Sequence, residues 1–289
     1  MFRLISFFFP VFCLAITPAA FAAPADSEFS KYVLEAVERT YRDHGGLGYG
    51  DSALTHDLQF GDNGTIKASS AAPLTMCVAA QLEVLIQALN GYAQVTRDNA
   101  PFHFLPKGYW EKLRPRYLRG MIWQVENSNS SGFGYAVDQM GMGKRVAFKD
   151  LFPGAFVNFN RARSGHAGVF LNYLDKNGNE LSAFSAQVAG FKYFSSQGMN
   201  KPKPISGMGY RYAFFSDVTC PATLPDGHLR DCGVLRSDRY LTGGYVLMPQ
   251  DWNGDKANAA VLSNNNATDP ILTTEGVFNA NYFNGETTD

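Results

Sequence analysis

Lysine and arginine never gather into a long run in this 289-residue chain, and the formal net charge is −1. The basic footprint that grips nucleic acid or an anionic membrane is therefore missing. No G-x-S-x-G elbow and no phosphate-cradling glycine loop occurs, which removes the two most legible signatures of serine hydrolysis and nucleotide binding. Internal repeats and low-complexity blocks are absent. Histidine is scarce, at five residues. His44, His56, His103 and His228 fall at no metal-ligand spacing, so neither a metal nor an organic cofactor is expected. The short runs "DKNGNE" and "DWNGDKAN" read as turns rather than calcium loops. The sequons at Asn63, Asn129 and Asn266 matter only in a glycosylating producer.

Cysteine is also scarce, at four residues. The opening "MFRLISFFFPVFCLAITPAAFAA" has Arg3 as its only charge, an apolar stretch and an Ala20-Phe21-Ala22 cleavage site. Residues 1–22 are thus expected to be a signal peptide, and the protein to be secreted or periplasmic. The stretch is too short and too proline-broken for a membrane span, and no integral membrane segment is expected after its removal. Loss of Cys13 with the signal leaves three cysteines. Cys220 and Cys232 bracket "CPATLPDGHLRDC" and are expected to form a disulfide worth about 3 kcal/mol. Cys77 is then the odd thiol, either a small core residue or a reactive one.

Hydrophobic residues make up 45% and aromatics 14% of the chain, enough for a real core. Phe29, Val33, Val37 and Tyr41 recur at helical spacing, and Gly45-Gly46 ends that run. In "LTMCVAAQLEVLIQALNG", Val78, Leu82, Leu85, Ile86 and Leu89 form an apolar stripe. Thr75 is the expected N-cap and Gly91 the expected terminator. A further helix is expected over 100–122, interrupted at Pro115. After Pro153-Gly154 come strand-like runs in "AFVNFN", "HAGVFLNYL", "GFKYFSSQ" and "GYRYAFFSDV". Helices first and antiparallel strands second give an α+β class. Residues 23–215 are read as the catalytic domain. Residues 216–289 are read as an extension carrying the disulfide loop and one strand-like run, serving as a flap, lid or wrap.

Cys77 falls in the first turn of the strongest predicted helix, where the positive end of the helix dipole favours a thiolate. His166 opens the strand "GHAGVFLNY". There His166, Gly168, Phe170 and Asn172 alternate against Ala167, Val169, Leu171 and Tyr173. A neutral imidazole can take the thiol proton and return it later. The order is a Cys-headed helix, a Pro-Gly-opened strand, and then a Gly-His strand. It resembles the papain-like cysteine peptidases and amidases of the circularly permuted NlpC kind and the related CHAP amidases. The resembling segments are Leu74–Asn90 and Leu151–Gln197. Met76 and Val78 stand where those families usually carry Asp and Ser, and Ala155 where an acidic residue often follows Pro-Gly.

The resemblance implies a papain-like domain, its catalytic Cys at a helix start packed on an antiparallel sheet. It also implies an exported hydrolase of amide bonds, with peptidoglycan peptide stems as the foremost substrate class. Cys77 would be the nucleophile and His166 the base and then the acid, so sulfur and imidazole should lie within hydrogen-bonding reach. The third, ring-orienting position is assigned to Gln197, with Ser195 and Gln187 as the other polar candidates. Tyr49 and Ser195 are candidates beside the oxyanion, to which the Cys77 backbone N–H would donate. Two alternatives stay open: acyl transfer to an amine, and a catalytically inactive papain-like scaffold that binds. An inhibitor or immunity partner is unspecified.

Overall fold

The computed structural model describes residues 23–50, 54–68, 74–111, 117–122, 132–161, 165–198, 206–224, 229–238 and 240–266. The expected signal segment, Pro115, Asn129, His228 and the chain after residue 266 lie outside these. Helix α1 (Ser30–His44) turns Tyr32, Val33, Ala36 and Val37 inward. It packs along α2 (Cys77–Thr96), whose residues from Cys77 through Ile86 are all buried. Thr75 does not cap α2. Met76 stands at the N-cap in extended backbone and makes no side-chain capping bond. Nor does Gly91 end the helix. Burial of Tyr92 against the rings of Phe29 and Tyr32 carries it another turn. It stops at left-handed Arg97, whose N–H bonds the Ala93 carbonyl. Two short strands, β1 (Leu58–Gln59) and β2 (Thr65–Ile66), pair across a tight turn beside α2. The region expected as one broken helix contains α3 (Gly108–Glu111) and α4 (Leu118–Met121), followed by α5 (Phe133–Gln139).

The molecule is of mixed α+β class, with one large, mostly antiparallel sheet. Its strands are β3 (Gly143–Val146), β4 (Phe156–Asn160), β5 (Gly165–Leu174), β6 (Glu180–Leu181), β7 (Gly190–Gln197), β8 (Gly207–Phe215), β9 (Arg230–Val234) and β10 (Leu241–Val246). The order is β3-β10-β4-β5-β7-β8-β9, with β6 on β5. Only β9 runs parallel to its neighbour, β8. The sheet curls back on itself: Arg161, just after β4, bridges to Val234 of β9, and Leu235 N–H bonds the Asn160 carbonyl at 2.8 Å. Residues 230–234 and 241–246, within the expected extension, take part in this sheet. They supply an inner strand, β10, and the strand that closes the curl, β9. The disulfide Cys220–Cys232 is present, with Cα atoms 5.9 Å apart, and fastens β9 to the loop after β8. The final helix, α6 (Gly254–Asn266), has Asp255 in its first turn.

Two cores lie on the two faces of this sheet. Outside, α2 packs Val78, Leu82 and Leu85 with Ala167, Val169 and Phe194. Inside the curl lie Phe159, Phe170, Phe191, Tyr193, Phe215 and Val234. The alternation expected along β5 holds only as far as a bulge between Phe170 and Asn172. An extra residue inverts the faces beyond it. Tyr173 accordingly joins the inner core, and its hydroxyl donates to the carbonyls of Phe148 and Leu151 at 2.7 and 2.9 Å. Asn158 on β4 is wholly buried. Its Oδ1 accepts from Phe133 N–H at 2.8 Å, and its Nδ2 donates to the Ile122 carbonyl at 2.5 Å. Asn158→Leu keeps the branched outline but strands both backbone groups. We expect a loss of about 3 kcal/mol, read as a lower urea midpoint at unchanged m-value; an unchanged midpoint would show that these bonds contribute nothing net.

Candidate functional site

Strands β5 and β7 form a fork. Their ladder runs from Leu174↔Gly190 to Val169↔Phe194 and ends there. Both strands continue, but with outer neighbours only: β5 pairs with β4 down to Gly165↔Asn160, and β7 with β8 up to Gln197↔Gly207. Side chains fill the opening. Ser195 Oγ donates to the Ala167 carbonyl at 2.6 Å. Gln81 reaches in from α2, its Nε2 3.4 Å from that carbonyl and 3.5 Å from Ser195 Oγ.

The N-terminus of α2 is tied to the same place. Ser196 Oγ donates to the Thr75 carbonyl at 2.6 Å, and Gly50 N–H reaches it at 3.3 Å. Tyr49 forms a parallel bridge with Thr75. Cys77 follows two residues after that tie and lies one helical turn before Gln81, on the same helix face. The start of α2, the loop with Tyr49, the start of β5 and the end of β7 thus converge at the open end of the fork. First-turn N–H groups of α2 and the positive end of its dipole point out of that helix end.

Each predicted site residue can now be placed. Cys77 heads α2, wholly buried, within the outer core. His166 is buried on β5, its ring centroid 5.3 Å from that of Phe159 and 5.6 Å from that of Tyr193. Both rings belong to the inner core, so the imidazole leans toward the inside of the curl, whereas Ala167 beside it faces α2. Gln197 shares the inner side with His166: Tyr193 OH donates to Gln197 Oε1 at 2.7 Å. The same hydroxyl lies 2.9 Å from Asp231 Oδ2, and Arg161 Nη1 pairs with Asp231 Oδ1 at 3.0 Å. Burial holds the Tyr193 hydroxyl protonated, its pKa pushed well above the ordinary value, so it is a donor. The buried Gln197 amide nitrogen has no hydrogen-bond acceptor among the described residues. Ser195 fills the fork. Gln187 lies apart from it, exposed, with its N–H on Ser185 Oγ in the loop before β7.

Sequence reasoning missed Gln81, Tyr193, Asp231 and Arg161. Gln81 had a signal: a glutamine one turn after the cysteine inside an otherwise apolar helix. Asp231 and Arg161 had none, because only the closing of the sheet brings β9 to β4.

A second polar cluster lies elsewhere on α2 and brings together two of the histidines that fall at no metal-ligand spacing in the sequence. His44 ends α1, His56 lies in the following loop, and Glu83 is wholly buried on α2. One ligand atom from each lies within 4.8 Å of the others. Linear spacing hid this grouping, since Glu83 comes from a different element. The two imidazole rings stack at 4.5 Å. Thr55 donates to Glu83 twice, from its hydroxyl to Oε1 at 2.5 Å and from its N–H to Oε2 at 3.1 Å. Burial pushes the Glu83 carboxyl up to about 7, against the pull of the Thr55 bonds and the Arg119 charge. Burial lowers both His44 and His56, keeping the imidazoles neutral. The "DKNG" run, by contrast, is a turn as expected, with Asp175 Oδ1 accepting from the N–H groups of Asn177 and Asn179.

No family model, curated protein or solved structure matches this chain.

Proposed function

We propose that the chain is an exported cysteine hydrolase of papain-like kind acting on amide bonds, with peptidoglycan stem peptides as its substrate class. The observation that carries this reading is the fork. It opens the sheet where the Cys77 end of α2 meets the strand of His166, so no backbone ladder separates the thiol's side from the imidazole's. Cys77 sulfur attacks the carbonyl carbon, and His166 takes the thiol proton and delivers it to the leaving amine. The tetrahedral oxyanion lies at the N-terminus of α2, where Cys77 N–H donates. Gln197 is held by Tyr193 through one lone pair of Oε1. Its second lone pair can accept the imidazole N–H, and its Nε2 hydrogens can donate to the oxyanion. Tyr49, bridged to the residue before Met76, borders the same position. Water then hydrolyses the thioester and regenerates the thiol.

The test is incubation of the mature protein with purified peptidoglycan, unrelated folded proteins and model amides, with products identified by mass spectrometry. The expected result is a new amine and carboxylate pair within the stem peptide. If an added primary amine is incorporated instead of water, the acyl-transfer form of the reaction holds. Unaltered peptidoglycan and unaltered amides would overturn the enzyme reading. A second reading rests on the complete burial of Cys77: a papain-like scaffold that binds its ligand without turnover. It predicts saturable peptidoglycan binding with no product.

A further inference from the structure

We propose that His44, His56 and Glu83 form a binding site for a divalent transition metal of the zinc class. The inference is independent of the chemistry at Cys77. Three donors from separate segments, the end of α1, the loop after it and the middle of α2, bring one ligand atom each within 4.8 Å of the others. Zinc holds nitrogen and oxygen ligands at about 2.0–2.2 Å. The donors must therefore draw in, which needs only rotation of imidazoles that are partly exposed. The least mobile donor is already set: Glu83 is wholly buried and gripped at both oxygens by Thr55. Such outer-shell bonding orients a ligating carboxylate before the ion arrives.

The donor chemistry selects the ion. Two imidazoles and one carboxylate suit zinc, cobalt, nickel or ferrous iron, whereas calcium and magnesium prefer all-oxygen shells. Three protein ligands leave the fourth position open, and the His56 side chain is 43% exposed, which places that position toward solvent. A purely structural zinc site would close its fourth position with protein. The bland reading is a neutral stacked histidine pair over a protonated glutamate. It accounts for the 4.5 Å stack and for the Thr55 hydroxyl that sits between His56 Nδ1, 2.7 Å away, and Glu83 Oε1, but it makes no use of three metal-ligand atoms lying within 4.8 Å of one another. Binding would also have a mechanical effect. His44 and His56 bracket the segment that carries Tyr49 to the start of α2, and an ion would pin both ends of it.

The experiment uses the full mature chain, dialysed against chelator and titrated with cobalt(II). Visible d–d absorption should saturate at one equivalent and be displaced by zinc. His44→Gln and His56→Gln should each weaken cobalt binding by more than about 100-fold, the upper range seen even for outer-shell losses. A second readout needs no variant: zinc should suppress carbethoxylation of His44 and His56 in the wild-type chain. His103, 54% exposed beside Asp62, should still react. Absence of saturable cobalt binding, wild-type affinity in both variants, or equal carbethoxylation with and without zinc would each overturn the site.

Discussion

Cys77→Ala is expected to abolish turnover, with a loss on the order of 10⁴-fold or more as for other nucleophile deletions, while the chain stays folded. Cys77 is a small side chain packed in the outer core. Replacing its sulfur with hydrogen leaves a void costing on the order of 1 kcal/mol, well below the cost of a Leu→Ala cavity. The chemistry has no substitute, because Ser195 and Ser196, the neighbouring hydroxyls in the fork, are committed to the carbonyls of Ala167 and Thr75. His166→Ala should come close to the same loss. It should also remove thiol alkylation at mildly acidic pH, where an ordinary thiol of pKa about 8.5 is protonated. Gln197→Ala should give an intermediate loss, since an unoriented imidazole still samples the productive pose. Steady-state rates together with iodoacetamide labelling across pH separate these cases. A Cys77 that alkylates only after denaturation, or a fully active Cys77→Ala protein, would leave the thiol as a core residue and nothing more.

Gly134→Ala should produce a large loss of stability from a single added methyl. Gly134 lies in the first turn of α5, where the helix crosses β10. A Cβ there would overlap the Gly243 carbonyl oxygen and crowd the Gly244 nitrogen. Both obstacles are backbone, so no rotamer change relieves them. Overpacking of this kind costs about 3 kcal/mol, or roughly 5–10 °C in Tm for a chain of this size. Gly108→Ala is the control, because nothing lies within 4 Å of a Cβ at that position. Calorimetry on the two variants decides the matter, and equal melting temperatures would mean that α5 does not press on β10 at Gly134.

How far these features were legible in the sequence follows from the range over which each is determined. Apolar periodicity marked α1, α2 and the major strands, because burial of one face is a local pattern. Cysteine parity marked Cys220–Cys232, which the structure joins. The ends of α2 were misread because capping propensity is worth less than the packing of Tyr92 against Phe29 and Tyr32, which extends the helix beyond Gly91. The face of Tyr173 was misread because a bulge shifts register without any residue that announces it. In the candidate site, Cys77, His166, Gln197 and Tyr49 were visible as residue types at element ends. The fork at which β5 and β7 part was not, since it depends on where a ladder stops. Glu83 was invisible as a partner of His44 and His56, because helix periodicity assigns a face but does not say which loop covers it.

The position of β10 also carries a consequence for biosynthesis. Strands β3 and β4 are neighbours in sequence, yet they do not pair; Leu241–Val246 occupies the slot between them. At translation rates of about 5–20 residues per second, the ladder between residues 143 and 160 waits on the order of ten seconds for its middle strand. Throughout that interval β3 and β4 lack the partner strand that joins them, a condition under which nascent chains cross-pair, and the charges of Lys144 and Arg145 on β3 counter it. Late arrival of an inner strand makes the fold all-or-none in time. A chain halted before residue 241 has both outer strands, the cysteine helix and the histidine strand, but no way to join the first of its sheet to the rest. The same delay keeps the nascent chain threadable, because it cannot close its sheet until β10 has been made.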